Sequence, residues 1–99
     1  MIVEIAEFKL NDGVEDSAFL KAHNEVHNNW VKDQPGYIRR ETVKSGDGLW
    51  KDLVVWESME LAHAAAEAIG KEPSNFPWMQ MMSSDSVKMF HGEVVADFK

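Results

Sequence analysis

The side chains best suited to moving a proton near neutral pH sit in two places in this chain: His23 and His27, four residues apart, and Asp52, alone among apolar neighbours. Histidine titrates closest to neutrality, and a carboxylate behind it fixes the tautomer and favours the charged form. The run LWKDLVVWES sets Asp52 between Trp50 and Val54 on one side of an extended segment, where a carboxylate is costly unless it is paired. His23 or His27 as the proton-transfer group, with Asp52 as its orienting partner, is the catalytic chemistry this pattern offers. A buried hydrogen bond without catalysis is the alternative. Around these groups Trp30, Trp50 and Trp56, with Phe8, Met79 and His91, would supply substrate contacts, the tryptophans as flat apolar walls that exclude water. The same Trp and Met positions also suit plain core.

Other chemistries are poorly served. The two helical histidines have the spacing of metal ligands, but no HExxH-type glutamate or placed third ligand accompanies them. Joining Glu4, His63 or His91 to them is arbitrary, so no metal site is assigned. With no cysteine there is no disulfide, thiolate site or thiol nucleophile, which fits a reducing cytoplasm. Phosphate loop, nucleophile elbow and dinucleotide fingerprint are all missing. Ten Lys and Arg against seventeen Asp and Glu give a net charge of −7, which repels a nucleic-acid backbone. No apolar run approaches the roughly 20 residues that span a bilayer, and MIVEIAEFKL lacks the features of a secretory leader. The expectation is a cytoplasmic protein whose partners include neither nucleic acid nor membrane.

The elements that must position these groups follow from periodicity. At 99 residues the chain has room for one domain, residues 1–99, with one modest core. Ile2 to Lys9 reads as a strand, and Asp12 with Glu15 as a capping box. Phe19, His23, Val26 and Trp30 recur at helical spacing, with Leu20, His27 and Val31 beside them, so a helix is expected from about Val14 to Asp33. Gln34-Pro35-Gly36 ends it. Tyr37 to Lys44 is a strand whose many charges suggest an edge, and Ser45 to Gly48 a hairpin turn. Leu49 to Glu57 forms a third strand, and Ser58 caps an alanine-rich helix that Gly70 stops. Pro77 opens a short helix through Met82, and Ser86 to Val95 makes the last strand.

This order is the split βαβ, ferredoxin-like pattern, an α+β fold with an antiparallel sheet ordered 4-1-3-2 and both helices on one face. Counted from the end where Trp56 and Trp30 lie, Asp52 is about 13 Å along its strand. His23 is about 10 Å along its helix, so the two come out at one level. Strand Leu49 to Glu57 is apolar on both faces, yet the helices can cover only one. The second cover is expected to be another copy of the sheet, in a homodimer.

The stretches QPGYIRRE (Gln34 to Glu41) and LWKDLVVWES (Leu49 to Ser58), the alanine-rich helix after them, and DSVKMFH (Asp85 to His91) resemble the dimeric α/β-barrel superfamily. The resemblance is greatest to the branch named after antibiotic-biosynthesis monooxygenases. It implies a dimer closed into an α/β barrel and a cofactor-independent monooxygenase acting on a planar aromatic or polyketide-like molecule, in which a deprotonated substrate reduces O₂ directly. A non-catalytic ligand-binding or structural homodimer, or an acid-base isomerase or lyase of the same fold, are the alternatives that the resemblance leaves open. The haem-degrading branch uses an Asn late in the first strand, a Trp on the second helix and a His on the short third helix. Those positions hold Phe8, Ala65 and Met79 here, so haem degradation is not expected and no cofactor is assigned.

Overall fold

The computed structural model describes residues 1–99. Strands β1 (Ile2–Phe8), β2 (Tyr37–Lys44), β3 (Trp50–Trp56) and β4 (Lys88–Glu93) pair antiparallel in the order β2-β3-β1-β4. Helices α1 (Asp16–Asn29) and α2 (Met59–Ile69) and the short α3 (Phe76–Met79) complete a ferredoxin-like fold. β1 and β3 take the centre because they are the most apolar strands, and the charge-rich β2 takes an edge.

Several boundaries differ from the sequence expectation. α1 begins at Asp16 with Glu15 at its N-cap and no side-chain cap, so the Asp12 capping box is not formed; Gly13, at φ +85°, turns the chain there instead. At the other end Trp30 leaves helical geometry and Val31–Asp33 form a separate 3₁₀ turn, which lets Val31 bury beside Phe8, Phe19 and Val26. α3 stops at Met79 because the following residues return to the end of β1. Met82 bridges Leu10, and the Asn11 side chain donates to the carbonyls of Gln80 and Met82. β4 starts at Lys88 because Ser84–Ser86 coil into a 3₁₀ turn, held by Ser86 Oγ donating to Ser83 O at 2.6 Å. The α2 cap is as expected, with Ser58 Oγ accepting from Leu61 N at 3.2 Å.

α2 is seated on the chain by Gly36. Its φ is +84°, and a Cβ there would stand 2.5 Å from Leu61 Cδ1, so only glycine fits both the turn and the approach. The core on the helix side forms two clusters. Phe8, Phe19, Val26, Val31, Trp50 and Trp78 make one, and Ile2, Val54, Trp56, Ala62 and Ala65 the other. On the opposite face of the sheet no element lies. Val3, Ile5 and Leu53 are half-buried there, and Val43 and Phe90 are exposed.

Candidate functional site

Strand alternation and register decide which side chains look toward the helices. β1 presents Ile2, Glu4, Ala6 and Phe8; β3 presents Trp50, Asp52, Val54 and Trp56. The ladder then aligns rows across the sheet. One row runs His91, Glu4, Val54, Arg40, and the next runs Met89, Ala6, Asp52, Thr42. The first row is thus polar except for Val54, and the second sets Asp52 and Thr42 beside the small Ala6 and the apolar Met89.

Over these rows lies a cavity of about 490 Å³. Its walls are Phe8, Trp30, Trp56 and Trp78, with Ala65, Ala66 and Ile69 from α2 above. Ala6 below and the two alanines above are why the space stays unfilled. Met79, Val87 and Met89 are exposed, so the mouth opens between α3 and edge strand β4. Polar groups on the wall are few: Glu4, Arg40, Asp52 and Ser84. An apolar pocket of this size with a handful of convergent polar groups is the usual form of a small-molecule site.

The polar floor is one connected network. Arg40 grips Asp52 with two parallel bonds, Nε to Oδ1 at 2.9 Å and Nη2 to Oδ2 at 2.7 Å, the two side chains being 5% and 10% exposed. Asp52 Oδ1 also accepts from Thr42 Oγ1 at 3.1 Å, and Thr42 Oγ1 is 2.8 Å from His23 Nε2. Trp78 Nε1 donates to His23 Nδ1 at 3.0 Å. An indole N–H can only donate, so His23 Nδ1 is unprotonated and Nε2–H donates to Thr42, whose own proton then goes to Asp52. By the same logic Arg40 Nη1 donates to His27 Nδ1 at 3.3 Å, which leaves that nitrogen unprotonated too. Both histidines are held neutral. Burial pushes His23 down to about 4, helped by the positive Arg40 and opposed by Asp52, and His27 is lowered by the same causes in the same order.

Asp52, Phe8, Trp30, Trp56 and Met79 therefore stand on the cavity wall, whereas His23, His27, Trp50 and His91 stand off it. The direct His23–Asp52 pair expected from the matched levels is not formed. Thr42 stands between them, and the carboxylate is taken by Arg40. Trp50 packs into the core against Phe8 and Phe19, away from the cavity. His27 lies edge-on to Tyr37 beyond Arg40, and His91 bonds Glu4 at 2.8 Å behind the wall.

Arg40 and Thr42 were not expected as site residues, and Glu4 was considered only as a metal ligand. Arg40 and Thr42 lie two apart in β2, which is itself the signal that both face one way, but the surrounding charges read as a solvated edge. One further group stands out. Trp56 lines the cavity, and its Nε1 is the one buried side-chain polar atom without a hydrogen-bond partner.

No protein-family model matches the chain, and neither does any curated protein. Among solved structures it is similar to a mutant of SnoaB, a cofactor-independent oxygenase from Streptomyces nogalater. The TM-score is 0.76 at 12% identity, over 97% of this chain and 94% of that one. It is similar to a mutant of MhuD with two manganese protoporphyrin IX bound per active site, with a TM-score of 0.71 at 19% identity over 100% and 99%. A dimeric ferredoxin-like protein from an uncultured marine organism aligns with a TM-score of 0.73 at 18% identity, over 99% and 90%. Further structures of this fold are named for antibiotic-biosynthesis monooxygenases. At these identities the likeness is one of fold.

Proposed function

We propose that this protein is a cofactor-independent monooxygenase of the dimeric α/β-barrel type, acting on a planar, mostly apolar molecule that carries an activated methylene beside a carbonyl. The observation that carries this reading is the cavity. It is flat-walled, with three tryptophans, and has the Arg40–Asp52 pair at one side of its floor and Glu4 at the other. The monooxygenase chemistry itself is suggested by the resemblance in sequence and by the described activity of SnoaB. The homodimer is suggested by the uncovered sheet face and by the dimeric ferredoxin-like neighbour. The lack of cysteine suits a cytoplasmic location.

Substrate lies over Ala6 and Val54, between the tryptophan walls. Loss of one methylene proton leaves a carbanion whose charge spreads to the carbonyl oxygen. A guanidinium has five N–H donors. Nε, one Nη1 proton and one Nη2 proton of Arg40 are engaged by Asp52 and His27, so two remain for that oxygen. The carbanion gives one electron to O₂, the radical pair combines to a hydroperoxide, and O–O cleavage with loss of the second proton yields a new carbonyl and water. The balance is CH₂ + O₂ → C=O + H₂O. Asp52 holds Arg40 in place, and His23 and His27 act on that pair and on Trp78 as neutral positioning groups.

A haem does not fit as the resident group. Haem iron is held by His, Cys, Met or Tyr. No His, Cys or Tyr reaches the wall, the methionines being its only soft donors, and the nearest imidazoles are committed to Trp78, Arg40 and Glu4.

The test uses 1,8-dihydroxyanthrone, a flat tricycle with one activated methylene. It is expected to raise the melting temperature and to be converted to the anthraquinone with one O₂ consumed per molecule. Stabilisation without oxygen uptake would leave a ligand-binding dimer, and neither effect would end the reading.

A further inference from the structure

The wall of the cavity holds two carboxylates, and they are in different states. Asp52 is saturated by Arg40 and Thr42. Glu4 is not. Its carboxylate lines the cavity at 12% exposure, and its one side-chain hydrogen bond is from His91 Nε2 to Oε2 at 2.8 Å. An ionised carboxylate has about four acceptor sites; Oε1 makes no side-chain hydrogen bond and is not sealed from solvent, so it is free to accept a proton from the cavity side. His91 is half-buried, and its ring meets that of His63, on α2, edge to face with centroids 4.9 Å apart.

The row His91, Glu4, Val54, Arg40 adds direction. Glu4 and Arg40 flank Val54 at two strand spacings, about 10 Å between backbones. A planar substrate seated on Val54 would have an acceptor at one edge and a guanidinium at the other. The His23 and His27 imidazoles lie behind Trp78 and Arg40, and Ser84 is no base, so Glu4 is the one unsaturated proton acceptor on the wall.

We propose that Glu4, held by His91, is the base of this site. The inference rests on the cavity being the substrate site as read above. With Oε2 held by His91, Oε1 takes the methylene proton as the C–H bond breaks, and the electron pair stays on carbon. After O₂ has combined with that carbon, the protonated Glu4 returns its proton to the terminal peroxide oxygen. It then removes the second C–H proton as the O–O bond breaks, and passes that proton to the departing hydroxide, which leaves as water. His91 is a positioning residue that decides which carboxylate oxygen faces the substrate.

Proton abstraction can be read apart from oxygen chemistry. In D₂O without O₂, the wild-type protein is expected to accelerate deuterium exchange into the methylene of 1,8-dihydroxyanthrone, followed by NMR. Glu4→Gln should lose exchange by at least about 100-fold while keeping the ligand-induced rise in melting temperature. Glu4→Asp, which keeps the carboxylate should the glutamine variant fail to fold, should lose part of it. His91→Gln should lower the maximal exchange rate with little change in half-saturation. Exchange by Glu4→Gln at near wild-type rate, or a wild-type protein that binds the anthrone without exchanging it, would overturn the proposal and leave the cavity as a binding site. Absence of any thermal shift would remove the cavity reading, and this one with it.

Discussion

His23 is a histidine fixed in one tautomer by a donor that cannot reverse, Trp78 Nε1–H, and by the Thr42 relay to Asp52. A free histidine titrates near 6.5, and folded His23 only near 4. Between those values the unfolded chain binds more protons, so folding stability is complete above pH 6.5, falls as pH drops through the window, and loses nothing more to this group below about 4. The loss should be about 3 kcal/mol, and urea unfolding at pH 7, 5.5 and 4.5 measures it. His23→Gln should flatten the dependence, and His27 acts with the same sign. Arg40→Met, which strands Asp52, should cost about 3–5 kcal/mol, whereas Arg40→Met with Asp52→Leu should recover much of that. Denaturant midpoints of the single and double variants decide it. The nearness of His23 to Asp52 was legible, because helical and strand rise fix the levels. That Thr42 and Arg40 intervene was not, because it depends on which face of an edge strand turns inward.

At the scale of the element, the alanines of α2 do two things. High helix propensity is legible in them directly, but their other effect, a roof too thin to fill the space over Ala6, depends on pairing α2 with β1 in three dimensions. Ala66→Leu should therefore change stability by well under 1 kcal/mol, as α2 exposes that position, while abolishing the thermal shift given by 1,8-dihydroxyanthrone. Strand existence, order and the Ser58 cap were legible from alternation and local chemistry. Helix ends were less so. Whether Trp30 continues α1 is settled by the burial of Val31, a tertiary event.

For the whole molecule, the uncovered sheet face is where the proposed dimer would form. Val3, Ile5, Leu53, Val43 and Phe90 share it, an apolar patch of the kind that marks an interaction surface. Sedimentation at micromolar concentration should show twice 11.3 kDa, and Leu53→Asp should unfold the chain rather than merely split the dimer. The two apolar faces of β3 are legible in the sequence, because neither side of its alternation is polar, and that pattern alone calls for a second cover. The function was less legible, since a fold hosts many chemistries and only placed side chains distinguish them.

The four tryptophans divide unequally: Trp30, Trp56 and Trp78 on the cavity wall, and Trp50 sealed beside Phe8 and Phe19. The molecule thus carries its own optics. A flat ligand that enters should quench the emission of three indoles and leave the fourth as an internal standard, so a titration should level off at a residual signal with the blue-shifted spectrum of a buried indole.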